Sequence, residues 1–310
     1  MCKSNLGNIL EIANKFKDKK SCLEFIANRR WKDTPTCPIC GHQEVYKFKT
    51  RFIYKCKDCK KQFSPLKNTI FDNSKIPLQK WMIALYLHTS HKKGISSVQL
   101  SKDIGITQKS AWYVLGRIRN LILKGTMELD EKFEGHVEID ETYVGGKEKN
   151  KHQSKKTKGT QGRSTKTKTA VVGILERGGK IRAKKITKVD GENLLPIARE
   201  NITTNSIIFT DEWRGYIQLK YHFEHQKVNH GAKQYVDGDA HVNTVEGFWS
   251  QFKRSIYGIY HSVSPKHLDF YINENTFRYN TRHMGCIQRM EYLLTMNNDK
   301  RLMYNELIAA

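Results

Sequence analysis

Two cysteine pairs constrain this chain more than any other feature. Cys37-x2-Cys40 and Cys56-x2-Cys59 are separated by fifteen residues. Each pair sets two thiolates on one tight turn, and two such knuckles supply the four tetrahedral sulfurs that a structural zinc ion takes. Short alternating runs at 45–48 and 52–55 form a hairpin-length connection that brings the knuckles together. A redox CxxC has no need of a second copy at this spacing, and four unrelated thiols would fall into it only by coincidence. His42 is superfluous to a four-sulfur site and reads as solvent-facing. Cys2, Cys22 and Cys286 read as small hydrophobes.

Charge narrows the partners. The chain has 310 residues, with 54 Lys and Arg against 31 Asp and Glu, a formal net charge of +23. Such an excess favours a polyanion, because each neutralised phosphate releases condensed counterions. No apolar run approaches the roughly 20 residues that span a bilayer, and no basic amphipathic helix with a clean apolar face is visible. The start of the chain lacks the apolar stretch of a secretory signal. The expectation is a cytoplasmic, nucleoid-associated protein that binds double-stranded DNA.

The order of elements divides the chain into five regions. Apolar residues at helical spacing predict a helix from residue 5 to about 28, within a helical segment over 1–30. The zinc ribbon occupies 31–72. Over 73–128 a compact helical unit resembles a helix-turn-helix: Gly105 interrupts two short helices, and Thr107 is placed to cap the second. In such units the second helix enters the major groove, so Gln108, Lys109, Ser110 and Arg117 are candidate DNA contacts, with Tyr113 and Arg119 nearby. From 129 to 285 the rhythm is strand, strand, strand, helix, strand, short strand, helix. Residues 147–168 interrupt it with nine Lys or Arg and one Glu, the composition of a mobile loop near DNA or of a solvated linker. Residues 286–310 form a tail without a readable motif. The fold class is mixed α/β, a ribonuclease-H-like domain preceded by the ribbon and the helical unit.

Three acids occupy telling places in that rhythm. Asp140 lies in the first strand, Asp211 ends the fourth, and Glu246 lies in the helix after the fifth. A ribonuclease-H-like fold gathers carboxylates in this order at one edge of its sheet. Breaking a phosphodiester needs an activated oxygen and neutralised charge on the phosphate, which two Mg²⁺ (or Mn²⁺) ions supply. Singly, each acid has an ordinary reading: an exposed strand residue beside Glu138 and Glu141, a cap for the helix near Glu212, a surface helix acid. Together, behind two DNA-type modules, they point to catalysis.

At these residues the chain resembles the DDE transposases of bacterial insertion sequences, those with an N-terminal zinc ribbon and an ISXO-type catalytic domain. The resemblance covers nearly the whole chain. It rests on Trp31 before Cys37-Pro-x-Cys40-Gly41, on Ile139-Asp140-Glu141-Thr142-Tyr143-Val144-Gly145-Gly146, and on Thr210-Asp211-Glu212 with Tyr216. It continues through His241-Val242-Asn243-Thr244-Val245-Glu246-Gly247-Phe248-Trp249 to Lys253-Arg254, then Tyr260-His261 and Phe277-Arg278-Tyr279-Asn280. It implies that Asp140, Asp211 and Glu246 hold the catalytic metal, that strand cleavage leaves a 3′-hydroxyl which attacks target DNA, and that a homo-oligomer assembles on two element ends. Thirty-four residues separate Asp211 from Glu246, and Lys253 follows Glu246 by seven, two helical turns on one face. Lys253 is then an auxiliary phosphate contact. Asn243, one turn before Glu246, stands as the alternative third ligand. A DNA-binding regulator on a decayed catalytic domain, and a nuclease or junction resolvase of the same fold, remain alternatives.

Overall fold

In the ribbon, aromatic rings do the packing that a longer chain would leave to aliphatics. In the computed structural model, which describes residues 7–49, 51–127, 131–146, 148–158, 164–228, 241–296 and 302–309, three short strands form an antiparallel sheet. They are β1 (Val45–Lys47), β2 (Tyr54–Cys56) and β3 (Gln62–Phe63). Tyr54 and Phe63 stack at 5.7 Å, and the edge of Trp31 meets both rings. Trp31 ends α2 (Lys19–Trp31), so the helix and the ribbon share this small core. The single helix expected over 5–28 is two. Before α2 lies α1 (Ile9–Lys15), and Asp18 breaks the run by capping α2 through the backbone N–H of Ser21 at 2.7 Å.

Ribbon and helices belong to one unit, residues 1–128 with 281–310; residues 129–280 form a second. In the first unit, α3 (Leu78–Ser90) and α4 (Ser97–Ile104) precede α5 (Gln108–Met127). Gly105 closes α4 at φ +59°, left-handed backbone that suits glycine. The Thr107 hydroxyl accepts from the Ser110 backbone N–H at the start of α5. Residues 286–310, expected as a tail, instead form α9 (Cys286–Thr295) and α10 (Tyr304–Ala309) within this unit. Two glycines of α5 explain the docking. A Cβ on Gly116 would lie 2.5 Å from Leu307, and one on Gly125 would lie 2.6 Å from the Met296 sulfur.

The second unit is built on five strands in the order β6-β5-β4-β7-β8. They are β4 (His136–Val144), β5 (Thr169–Glu176), β6 (Ile181–Ile186), β7 (Ile207–Asp211) and β8 (Glu224–Val228). The first three are antiparallel; β7 and β8 run parallel to β4. This is the ribonuclease-H-like arrangement. β5, covered on both sides, reads as an apolar run for that reason, while β4 alternates with acids. One face packs on α6 (Gly191–Asn201) and on a 3-10 segment, Arg214–Tyr221. The other packs on α7 (Asn243–Ser255) and α8 (Leu268–Asn280). Within the basic stretch 147–168 the described residues include two 3-10 turns, Glu148–Asn150 and Gln153–Lys155.

Candidate active site and metal centre

The four ribbon sulfurs converge. Cys37 Sγ lies 3.7 Å from Cys59 Sγ, and Cys40 Sγ lies 3.6 Å from Cys56 Sγ. All four sulfurs are within 4.8 Å of one another. A tetrahedral zinc with bonds of about 2.3 Å needs sulfurs about 3.8 Å apart, so the site fits the ion. Burial opposes the Cys37 thiolate, but hydrogen bonds from the backbone of Cys40 and Ile39 and from neighbouring thiols bring its pKa down to about 7. A backbone hydrogen bond from His42 favours the thiolate of Cys40, yet burial and the three adjacent sulfurs push it up to about 12. A divalent cation bound at this site displaces the thiol protons that remain. Cys22 and Cys286 lie outside this cluster, and Cys2 lies outside the described residues.

In the helical unit, Gln108 and Lys109 are exposed and Ser110 is half-buried at the start of α5. Arg117 is not where a DNA contact must be. It is 3% exposed, and its guanidinium donates to the carbonyls of Leu302, Ile70 and Asp72 and to the Tyr113 hydroxyl. Arg117 therefore ties α5 to the loop before α3 and to the C-terminal segment. Arg119 is buried as well.

The acids of the second unit gather where two strands part. β4 and β7 pair in parallel as far as Glu138 opposite Phe209. Continuing that register by two residues sets Asp140 opposite Asp211, just beyond the last paired position. Asp211 is 9% exposed and accepts from the Trp213 backbone N–H at 3.0 Å. The hydroxyl of the preceding Thr210 meets His225 Nε2 at 2.8 Å. Burial, with the charge of Lys227 adding, holds that imidazole neutral with a pKa down to about 4.

Glu246 comes from the other side, on α7. Across the sheet from Asp140 stands Gly173. A Cβ there would be 2.6 Å from the Trp249 ring. The missing side chain lets Trp249 lie on the sheet, and α7 carries Glu246 close to Asp140. The electrostatics record the convergence. Burial first, then the charges of Glu141, Asp211 and Glu246, push the Asp140 carboxyl up to about 8. The three carboxylates are not collapsed together: among the described residues only the four cysteines form a group of three or more ligating side chains with atoms within 4.8 Å of one another. Asn243 and Lys253 are exposed in the first and last turns of α7.

Glu138, to which the sequence assigned no role, is 0% exposed. It points to the same side of β4 as Asp140. Its Oε2 accepts from the backbone N–H groups of Thr244 at 3.0 Å and Val245 at 2.9 Å, and its Oε1 from the Thr244 hydroxyl at 3.0 Å. Val242, at the cap position of α7, offers no side-chain cap. Glu138 therefore caps α7 from another strand, where an anion also meets the positive end of the helix dipole. Arg177 completes the clamp. It donates to Glu138 Oε1 at 2.8 Å and to the His241 carbonyl at 2.7 Å, over the face of Phe209. Glu141, on the opposite face, is also buried; it accepts from the Tyr216 hydroxyl at 2.6 Å, tying β4 to the segment after Asp211. Alternation along β4 could have flagged both positions, but only the packing of α7 shows which acids lose water.

The motif Phe277-Arg278-Tyr279-Asn280 is structural. Arg278 Nη2 pairs with the buried Glu274 at 2.6 Å, and Glu274 also accepts from the Tyr260 hydroxyl. Asn280 hydrogen-bonds both backbone groups of Ile181 on β6.

Known proteins resemble the chain in both the ribbon and the five-stranded domain. Residues 17–62 match the transposase zinc-ribbon domain, and residues 132–280 match the ISXO2-like transposase domain. An uncharacterized protein in transposable element ISH50 of Halobacterium salinarum is 30% identical over 251 residues, 77% of this chain and 83% of that protein. An uncharacterized transposase-like protein of Haemophilus influenzae is 29% identical over 96 residues, 31% of this chain and 76% of that one. The crystal structure of the Mos1 strand transfer complex covers 63% of this chain and 73% of its own at 11% identity, with a TM-score of 0.22, too low to bear on the reading. Among the described residues, no helix is long and apolar enough to cross a membrane. By its ribbon, its catalytic-type domain and its relative in ISH50, the chain belongs to the ISXO2-like transposases of insertion sequences.

Proposed function

We propose that this transposase cleaves DNA at the ends of its element and joins the freed strands to target DNA, with Asp140, Asp211 and Glu246 as the ligands of divalent metal. The observation that carries the proposal is the β4–β7 register that sets Asp140 opposite Asp211, and burial with the charges of Glu141, Asp211 and Glu246 raises the Asp140 carboxyl to about 8. Acids crowded to that extent are costly without a cation. Mg²⁺ or Mn²⁺ would activate the attacking oxygen and neutralise charge on the phosphate and the leaving oxygen. Asp140 and Asp211 hold their place through the sheet. Glu246 holds its place through α7, which Glu138 caps and Trp249 seats. Lys253, two turns after Glu246, grips a phosphate of the bound strand. Cleavage forms a bond from a water oxygen to phosphorus and breaks the bond to the 3′-oxygen, leaving a 3′-hydroxyl; in joining, that hydroxyl attacks a target phosphodiester. Asn243 assists at the edge of the site, since a neutral amide is a poorer Mg²⁺ ligand than the carboxylate of Glu246. The zinc ribbon and the exposed start of α5, with Gln108, Lys109 and Ser110, bind the element ends, and two ends call for a homo-oligomer.

The test supplies an element-end duplex with a 3′-hydroxyl, together with plasmid target and Mn²⁺. Joined products that disappear when the end carries a 3′-deoxy terminus support a transposase that performs both steps. Cleavage with no joining under any metal would leave a nuclease or resolvase, and metal-independent DNA binding alone would leave a regulator.

A further inference from the structure

Beyond the acids, a second concave site lies further along the same two elements. After Ser255, α7 runs into a π-helical turn, Ile256–Tyr260, and the turn ends on His261 at φ +60° and ψ −48°. Non-glycine residues with positive φ are uncommon, and π-turns and such outliers concentrate at functional sites. Together with the exit of β4 and the entry of β5, this segment walls a cavity of about 520 Å³, within the range of small-ligand sites. No Asp or Glu lines it, while Lys166, Lys168 and His261 do. Tyr257 stands at its wall, 44% exposed, with its hydroxyl directed at the Gly145 carbonyl at 3.4 Å. Gly145 and Gly146 also line it; a Cβ on Gly145 would lie 2.9 Å from the Thr167 carbonyl oxygen, whereas one on Gly146 would meet nothing within 4 Å. At Gly146 the wall presents backbone and open space.

Cations, a half-exposed aromatic ring and exposed backbone, without a carboxylate, are the complement of one sugar-phosphate and its base. We propose that this cavity holds a single unpaired nucleotide of the DNA strand being processed. Its base lies against Tyr257, and its phosphate lies among Lys166, Lys168 and His261. The proposal rests on the DNA-processing reading above. Two rulers set the distance from the acids. Four residues of strand separate Asp140 from Val144, about 13 Å, and eleven residues of helix separate Glu246 from Tyr257, about 16 Å. Lys253 and Arg254, both exposed, lie between. At about 3.4 Å of axis per nucleotide in a duplex, and more in an extended strand, the nucleotide sits about two to five positions from the phosphate at the acids.

The test uses the full-length zinc-loaded protein and duplexes of its element end. Each duplex carries one 5-iododeoxyuridine at successive positions from the cleaved phosphate. On irradiation, a cross-link to Tyr257 is expected from one or two adjacent positions within that window. Tyr257→Ala is expected to weaken binding of this DNA about 5- to 150-fold, the range for loss of one base–aromatic stack, whereas Tyr257→Phe stays within about 3-fold. Should Tyr257→Ala melt early, Lys166→Gln with Lys168→Gln replaces it and should lower both the affinity and its salt dependence. A uniform or absent cross-link, or variants that bind like wild type while wild type still nicks the DNA, would overturn the pocket and leave the carboxylate reading intact. Wild-type protein that cross-links at Tyr257 yet never nicks DNA with any divalent metal would count against the carboxylates and leave the pocket intact.

Discussion

Replacing Asp140 by Asn removes a charge that the metal-free fold holds at a cost. The carboxyl is raised from 3.8 to about 8, by burial first and then by Glu141, Asp211 and Glu246. Between those values the folded state binds more protons than the unfolded chain, so stability falls as pH rises from about 4 to about 8 and is flat above. At about 1.36 kcal/mol per pKa unit, the cost at pH 7 is about 4 kcal/mol as an upper bound. Side-chain rearrangement and water entry at a carboxyl that is only part-buried reduce it to about 2 kcal/mol. Asp140→Asn is isosteric and neutral, so it should stabilise the metal-free second unit by that amount at pH 7. A unit of this size gains roughly 2–4 °C per kcal/mol, which is about 4–8 °C. At pH 5 the wild-type carboxyl is already protonated, and the difference should shrink to below about 1 kcal/mol. Saturating Mg²⁺ should reverse the order, because only the wild type gains binding energy from the cation. The assay is scanning calorimetry of zinc-loaded protein in magnesium-free buffer, since a strong chelator would also strip the ribbon. An Asn variant less stable than wild type at pH 7 without Mg²⁺, or a difference that does not change with pH, would refute the reasoning.

Three further perturbations follow from the geometry. Glu138→Ala leaves two N–H groups of α7 and the Arg177 guanidinium buried without their acceptor, and should cost about 3–5 kcal/mol in chemical denaturation. Glu138→Gln keeps an acceptor and should recover part of that stability while still lowering Mn²⁺ affinity at the acids, read by titration calorimetry; wild-type affinity in both variants would separate Glu138 from the site. Gly173→Val pushes a side chain into the Trp249 ring, so a loss of about 1–3 kcal/mol with a shift in tryptophan emission is expected, and a neutral substitution would show that α7 is not seated by this glycine. Cys56→Ser removes one of four sulfurs: bound zinc measured by atomic absorption should fall from about one per chain to well below it, and the affinity for element-end DNA should fall with it. Retained zinc would contradict the four-sulfur site.

How much of this was legible before folding depended on where the chemistry resides. The cysteine pairs declare themselves because the ligands and their turn lie within four residues. Asp140 and Asp211 were legible as an acid within the first strand and an acid ending an apolar one. Glu138 and Glu141 were not, because an acid in an alternating strand is ordinary until a helix covers its face, and the cover over Glu138 comes from α7, a hundred residues later. Arg117 misled for a similar reason: helical spacing does not reveal that the chain's last thirty residues return to α5 and offer the Leu302 carbonyl. The docking of α9 and α10 carries no motif, since it depends on Gly116 and Gly125, two absent side chains among many glycines. The split of the first helix at Asp18 lay in a capping pattern that the apolar spacing masked.

The most direct test of the acid site is cleavage of element-end DNA by wild type, Asp140→Asn, Asp211→Asn, Glu246→Gln and Asn243→Ala, with Mg²⁺ or Mn²⁺, each variant first shown to be folded and zinc-loaded. The expected result is metal-dependent cleavage by wild type, at least 100-fold loss in the three acid variants, and a smaller loss in Asn243→Ala. Cleavage that persists in Asp140→Asn or Asp211→Asn, or that survives Glu246→Gln while vanishing in Asn243→Ala, would contradict the ligand set assigned to these three carboxylates.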